Sequence, residues 1–534
     1  MRDANVEPRS LSAAEPFVAK TVDEVLLKIN GFGLYQSLAV LYWILLVGAG
    51  GMVSLSFVLL GREQPISCPL KPSNAFKECT DGNVCDFPYR FPGNGTFSYS
   101  ASFDLVCAHK HLFPVPTMLY FLGFASGAWY FGGLTDRIGR RPILVYSSGF
   151  AILGHVFMCL CSPDDFFKFC VIRAFIGVCF GGQMASSWNI LMEQIGPAYR
   201  ALVTGIAWAG WAVMCLGTPF IGFNVDSYFQ KHNLSLWAWS SYFPAIRAWQ
   251  ATGLLIALPM FLVLVILSPV LLHESPRFLL SVGRKDEAMK QLSRIAKVNG
   301  MELPKCDLAE MPQKVKGHGE RGTKVLFSNW KVARVTVFSV YLWFATTLSY
   351  YGLSLVLTSV GSDVYTSMAY SSLMEIPAYL STGYVLKYYG RRAVMVATMA
   401  QGGLFCLIFA FFGSAAQESP LLQTVAFTSK FGITLAHSVI YVYTSELFPT
   451  DSRGSAMGLS NVGARIGGLV STPILHLSTF GPDTPIIIFG LVSLIGTLLL
   501  LCLPETKNRK TLETIEDMVK DNGTRNTPDG DKDV

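Results

Sequence analysis

A chain of 534 residues that is 51% hydrophobic and only 15% charged carries too much apolar side chain for one or two water-soluble cores without large exposed patches. Its formal net charge of +6 is accounted for by cations in short loops, taken up below, and requires no nucleic-acid partner. Nothing in it resembles a phosphate-binding Gly-Lys-Ser/Thr loop, a metal-ligand cluster or a nucleophile–base constellation, which argues against an ATP-driven pump, a metal site, a cofactor or an enzyme.

Residues 1–35 are polar, with Arg2, Asp3, Glu7, Arg9, Lys20, Asp23, Glu24 and Lys28, and hold neither a short apolar core nor a cleavage site. The first apolar stretch is therefore expected to act as its own insertion signal. Stretches of about 20 apolar residues, enough for a helix to cross about 30 Å of hydrocarbon, lie near 36–60, 113–134, 142–162, 166–190, 201–222, 252–272, 333–357, 366–389, 393–413, 420–445, 455–476 and 484–503. They predict an all-α membrane protein of twelve transmembrane helices.

The loop at 61–112 holds Cys68, Cys79, Cys85 and Cys107 and the triplet Asn94-Gly95-Thr96. A second triplet starts at Asn233. Short-loop cations sit at Arg137, Arg140, Arg141, Arg200, Arg391, Arg392 and Arg453, whereas the loops after predicted helices 7, 9 and 11 have no Lys or Arg. Positive loops stay in the cytosol, so both termini are expected inside and the cysteine loop outside. Two disulfides follow, with three pairings open, and Asn94 and Asn233 become glycosylation candidates.

Three motifs recur. Gly132-Gly-Leu-Thr-Asp136-Arg137-Ile-Gly139-Arg140-Arg141 after helix 2 matches Lys387-Tyr-Tyr-Gly390-Arg391-Arg392 after helix 8, at an offset of 390 − 139 = 251. Glu193 with Arg200 after helix 4 matches Glu446 with Arg453 after helix 10, at 446 − 193 = 253. His273-Glu274-Ser-Pro-Arg277 after helix 6 matches Pro504-Glu505-Thr-Lys507 after helix 12, at 505 − 274 = 231. Two six-helix pseudo-repeats, 36–272 and 333–503, are thus joined by a polar segment at 273–332 and followed by a tail at 504–534. The shorter third offset suits an insertion in the outer loop at 223–251 of the first half. Lys285 to Lys297, with Leu292 and Ile295, suits a short amphipathic surface helix.

The glycine–acid–arginine loop after helix 2 resembles the signature of the major facilitator superfamily. The cysteine-bearing first outer loop, Glu274-Ser-Pro-Arg-Phe, and Glu446-Leu-Phe-Pro-Thr resemble its organic cation, anion and zwitterion branch, which includes carnitine transporters. The resemblance covers about 30–517. It departs from the mammalian pattern in having four rather than six loop cysteines and a long tryptophan-rich loop at 223–251. It implies a plasma-membrane carrier of small organic solutes working by alternating access. Organic cations or zwitterions such as carnitine are the expected cargo, with organic anions, or a non-transporting receptor on the same fold, as alternatives. A functional monomer is expected, with Na+ or H+ as the candidate coupling ion.

Charges inside apolar windows are the substrate-site candidates. Arg465, central in helix 11, is either half of an ion pair or a counter-charge for a substrate carboxylate. By resemblance, anion and zwitterion carriers have arginine there. Glu375 in helix 8 could meet a substrate ammonium or pair with Arg465 or Arg173. Tyr379 stands where, by resemblance, several anion carriers have a cation. Trp343, Tyr350 and Tyr351 of helix 7, with Trp208 and Trp211 of helix 5, could form an aromatic cage for a quaternary ammonium or simply pack. Gln183 of helix 4 either touches ligand or bridges helices. Lys430 and His437 lie inside helix 10. Asp136, Arg140, Glu193, Arg200, Arg391, Glu446 and Arg453 are expected to pair across the seam between halves as a gate.

Overall fold

The computed structural model describes residues 19, 21–64, 66–69, 76–78, 89–91, 95–232, 234, 246–306, 324–359, 363–412, 419–449, 452–507 and 515–520. Twelve membrane-length helices run through it. In the first half they are α1 (Leu34–Leu60), α2 (Val115–Ile138), α3 (Arg140–Met158), α4 (Phe166–Gln194), α5 (Arg200–Cys215 continued by Gly217–Lys231) and α6 (Ala248–Leu271). In the second they are α7 (Trp330–Val356), α8 (Val364–Tyr388), α9 (Arg391–Phe412), α10 (Pro420–Leu447), α11 (Arg453–Leu475) and α12 (Thr484–Leu501). We call the end of the bundle that carries the residues near both termini the terminal face, and the end that carries residues 61–112 the loop face.

By length and composition nine helices among the described residues could cross a membrane; α3, α8 and α11 fall outside that group. Two of these three, α8 and α11, line the contact between the halves, where α2 packs on α11 and α5 on α8. A helix at such a seam can hold more polar and small residues than one that faces lipid. Close approach needs small residues too. A Cβ on Gly123 or Gly127 of α2 would collide with carbonyl oxygens of α4, and one on Gly463 or Gly467 of α11 with those of α7.

Helix α5 is longer than its apolar window. Asn224, Asp226, Gln230 and Lys231 look like loop in the sequence, yet the helix runs on to Lys231. The outer loop expected at 223–251 therefore begins only after the helix ends. In α6 a π-helical turn, Val263–Leu267, precedes Ser268–Leu271, where Pro269 lacks the N–H that a regular ladder needs.

On the terminal face Val22–Lys28, Pro276–Ser281 and Lys285–Val298 form a small platform packed through Val25, Leu26, Leu279, Leu292 and Ile295. Asn299 ties it to α1: its Nδ2 donates to Ile29 O (2.8 Å) and its Oδ1 accepts from the Tyr35 N–H (2.9 Å). The linker helix thus packs on the N-terminal helix. On the loop face Ser67–Pro69 pairs antiparallel with Phe76–Glu78. Cys107 is disulfide-bonded. Cys79, Cys85, Asn94 and Asn233 lie outside the described residues, as does the side chain of Cys68.

Candidate functional site

At the centre of the seam, side chains from α2, α4 and α5 face side chains from α7, α8, α10 and α11 around a shared cavity. Seven of the residues singled out from sequence meet there: Arg465, Tyr350, Tyr351, Tyr379, Trp208, Trp211 and His437. Trp208 is stacked on Tyr379 with ring centroids 6.0 Å apart. Phe124, Phe180, Met184, Thr347 and Tyr441 complete the wall; as apolar, hydroxyl or aromatic side chains in apolar windows they carry no sequence signal of their own.

Arg465 is the charge that remains available. Its guanidinium lies over the Phe124 ring at 3.7 Å from the centroid, and its Nε is buried without a hydrogen-bond partner among the described residues. No described carboxylate forms an ion pair with it. Cation–π contact offsets part of the desolvation of such a group but supplies no counter-charge.

Glu375 is already paired, and with neither of the arginines proposed for it. Lys430 of α10 meets its Oε1 at 3.1 Å, and the two side chains are 0% and 3% exposed. Lys430 also donates to Tyr350 O (2.8 Å) and Ser354 Oγ (2.6 Å) and stands 3.5 Å from the Tyr350 ring centroid. The Tyr350 hydroxyl donates to Glu375 Oε2 at 2.9 Å. Lys430 is the partner the sequence did not identify, because spacing along a chain says nothing about which of several buried charges share a plane. His437, which lines the same cavity, stacks on Tyr350 at 5.3 Å.

Trp343 and Gln183 are not part of the cavity wall. Trp343 donates its indole N–H to Thr444 Oγ1 at 2.9 Å and packs against Tyr441, which lines the cavity in its stead. Gln183 donates to Leu46 O and Met260 Sδ, both at 3.4 Å, and so bridges α4 to α1 and α6.

Among the described residues the expected gate charges pair within each half. Arg140 reaches Asp136 (3.0 Å) and Glu193 (3.3 Å) in the first half, and Arg391 reaches Glu446 (3.0 Å) in the second. Arg200 bonds Asp23 of the N-terminal segment at 2.9 Å, alongside Arg277. The Nε of Arg453 is buried and unpartnered among the described residues. The third motif pair has a clear job. Glu274 accepts the N–H groups of Arg140 and Arg141, both at 3.1 Å, and Glu505 those of Arg392 (3.4 Å) and Ala393 (3.3 Å). Each acid thereby caps the helix that begins with the Gly-Arg-Arg triplet. A Cβ on Gly139 or Gly390 would occupy the carboxylate's place, which accounts for glycine at both. Burial of Glu505 raises its pKa, but its backbone donors outweigh this and leave it below the usual carboxylate value.

The halves are instead latched at the loop face. Asp226 of α5, 5% exposed, is bonded by Arg62 at the end of α1 and by the hydroxyl of Tyr365 of α8. Arg62 also lies over the Tyr365 ring at 5.5 Å. On the terminal face a Cβ on Gly132, Gly133, Gly383, Gly454 or Gly458 would meet nothing within 4 Å.

Comparison with known proteins places this geometry. The family described as "Sugar (and other) transporter" matches residues 94–519. Solute carrier family 22 member 15 of Xenopus tropicalis is 31% identical over 448 residues, 83% of this chain and 78% of that protein. Organic cation/carnitine transporter 2 of Homo sapiens is 30% identical over 432 residues, 80% of this chain and 72% of that protein. Solute carrier family 22 member 13 of Homo sapiens is 29% identical over 468 residues, 86% and 78% of the two chains. Among solved structures, a major facilitator proton:xylose symporter bound to 6-bromo-6-deoxy-D-glucose superposes with a TM-score of 0.61 at 16% identity, over 90% of this chain and 99% of that one. At that identity the likeness shows the fold alone.

Proposed function

From the premise that the chain belongs to the sugar (and other) transporter family, and within it to the organic cation, anion and carnitine carriers of solute carrier family 22, we propose that this transporter's cargo is a small zwitterion carrying a carboxylate and an organic cation, of which carnitine is the concrete case. The observation that carries this reading is Arg465, a cation without a counter-charge among the described residues at an aromatic-lined cavity between the halves. A substrate carboxylate completes that charge. A quaternary ammonium is then suited to the aromatic rings of Tyr351, Tyr379 and Trp211. Glu375 acts from behind Tyr350, its charge held by Lys430.

The Lys430–Glu375 pair is neutral overall, so the cavity carries the charge of Arg465 and disfavours a simple cation. That same observation supports a second reading, an organic monocarboxylate without an ammonium. Loop cations support both termini in the cytosol, and we place the carrier in the plasma membrane. The terminal face is then inner and the loop face outer, and the Arg62–Asp226–Tyr365 latch closes the outer entrance. Alternating access requires this latch to break as the inner ends approach. The carrier works as a monomer, driven by the solute gradient or by Na+ or H+.

The test is radiolabelled uptake by cells expressing wild type or Arg465→Ala, with surface amounts matched. The substrates are carnitine, a quaternary cation without a carboxylate, and an aromatic monocarboxylate. Carnitine uptake lost in the variant supports the zwitterion. Uptake of the monocarboxylate alone selects the second reading. Uptake of the cation alone, unchanged in the variant, rules out both.

A further inference from the structure

Arg173 lies on α4, seven residues or about two turns from the end nearest the loop face. It is 2% exposed, and its Nη2 has no partner among the described residues. The guanidinium stands 5.0 Å from the centroid of the Tyr120 ring. The charged or titratable groups near it are Tyr120, Tyr99, Cys170 and His155, and no described carboxylate is among them. Two further polar groups lie here: the Tyr120 hydroxyl and the Ser54 hydroxyl of α1 are buried beside each other, and neither has a well-formed hydrogen bond to any other described residue. Arginine keeps its charge at any physiological pH, and an isolated charge at this depth is strongly unfavourable.

The second half shows what is missing. Its buried cation, Lys430, is held by Glu375 at 3.1 Å. Moved by the repeat offset, Arg173 falls at 173 + 253 = 426, one helical turn before Lys430 on α10. Glu375 falls at 375 − 251 = 124, and that position of α2 is Phe124. The first half has a buried cation one turn away from the position equivalent to Lys430, and a phenyl ring where the second half has its carboxylate. That ring now lies under Arg465.

We propose that a halide-sized inorganic anion, chloride in a cell, binds at Arg173 in place of the absent carboxylate, with the Tyr120 and Ser54 hydroxyls as its further donors. Arg173 lies against the Tyr120 ring and is only 2% exposed, which favours a small ion over an organic one. Water could accept the same hydrogen bonds, but it would leave the charge uncompensated. The site is separate from Arg465 and does not depend on the identity of the transported solute.

The experiment uses full-length protein in nanodiscs without organic substrate. Chloride is titrated against gluconate at constant ionic strength, and the melting temperature is followed. Wild type and Arg465→Ala should both show a saturable rise, and Arg173→Gln should show none. Ser54→Ala and Tyr120→Phe should fold and raise the half-saturating chloride by about tenfold, as expected for losing one hydrogen bond to a charged partner. A flat response in wild type means that water fills the site and overturns the proposal. An unchanged response in Arg173→Gln does so too, by placing the ion elsewhere. Should Arg173→Gln fail to fold, unchanged half-saturation in both hydroxyl variants is equally fatal.

Discussion

In the second half Lys430, Glu375, Tyr350 and Ser354 form a closed network in which the cation has an acid, a carbonyl, a hydroxyl and a ring. In the first half Arg173 has the ring of Tyr120 and no acid among the described residues. The helix-capping carboxylates and the Arg140 and Arg391 clamps, by contrast, match in both halves. The repeat has thus kept the devices that hold helix ends together and has diverged where the cavity lies. The second half supplies the free guanidinium and the buried ion pair, while the first supplies mostly rings. An asymmetric solute, with unlike charges at its two ends, suits such an asymmetric cavity.

The largest expected effect comes from breaking the closed network. Glu375→Gln leaves Lys430 buried and unpaired, which should destabilise the protein by about 3–5 kcal/mol. Adding Lys430→Met should restore most of the loss, as read from the melting temperature of the purified protein. If the double variant is no better than the single one, the pair is not what holds α8 to α10.

Phe124→Glu puts an acid where the second half has one. The new carboxylate should compete for Arg465 as well as Arg173 and so lower carnitine uptake by about 10–100-fold, the value of one charge-assisted hydrogen bond. It should also remove any chloride response. Retained uptake would mean that Arg465 does not hold the substrate carboxylate.

The clamps lie inside each half, and the latch joins the halves. Tyr365→Phe removes one donor from Asp226 and should favour opening of the loop face by about 1.5 kcal/mol, roughly tenfold in population. Distances between spin labels at the loop-face ends of α1 and α8 would report the shift; an unchanged distribution would show that Arg62 alone keeps the latch closed.

The smallest effect separates the matched glycines. Gly139 has φ = 117° and a carboxylate in its Cβ position, while Gly390 has only the carboxylate. Gly139→Ala should therefore cost about 1–2 kcal/mol more than Gly390→Ala. Equal melting temperatures would show that the first triplet can relax its backbone.

Much of the site was visible in the sequence because a charge in a long apolar run stands out. Arg465, Glu375, Arg173 and Lys430 were all recognisable in that way, as were the matched motifs of the gates. Their partners were not recognisable. Glu375 had three cations within plausible reach, and only the packing of α8 on α10 selects Lys430. Arg62 and Asp226 were passed over because they sit where helix and loop have the same polar composition. Trp343 and Tyr441 could not be ranked, since α7 and α10 carry apolar side chains on most sides.

The sequence by itself determined the twelve spans, the duplication, the bias of loop cations and the places where charge enters the membrane. Hydrocarbon thickness sets helix length, and the expense of burying a charge makes each exception conspicuous. Only the tertiary structure decided which face of each helix meets the cavity, which acid meets which base, and that the latch sits at the loop face while the clamps stay within each half. These are questions of rotation about helix axes and of contact between residues more than a hundred positions apart. A helix surrounded by lipid and by other helices has no polar side to reveal its rotation in the sequence.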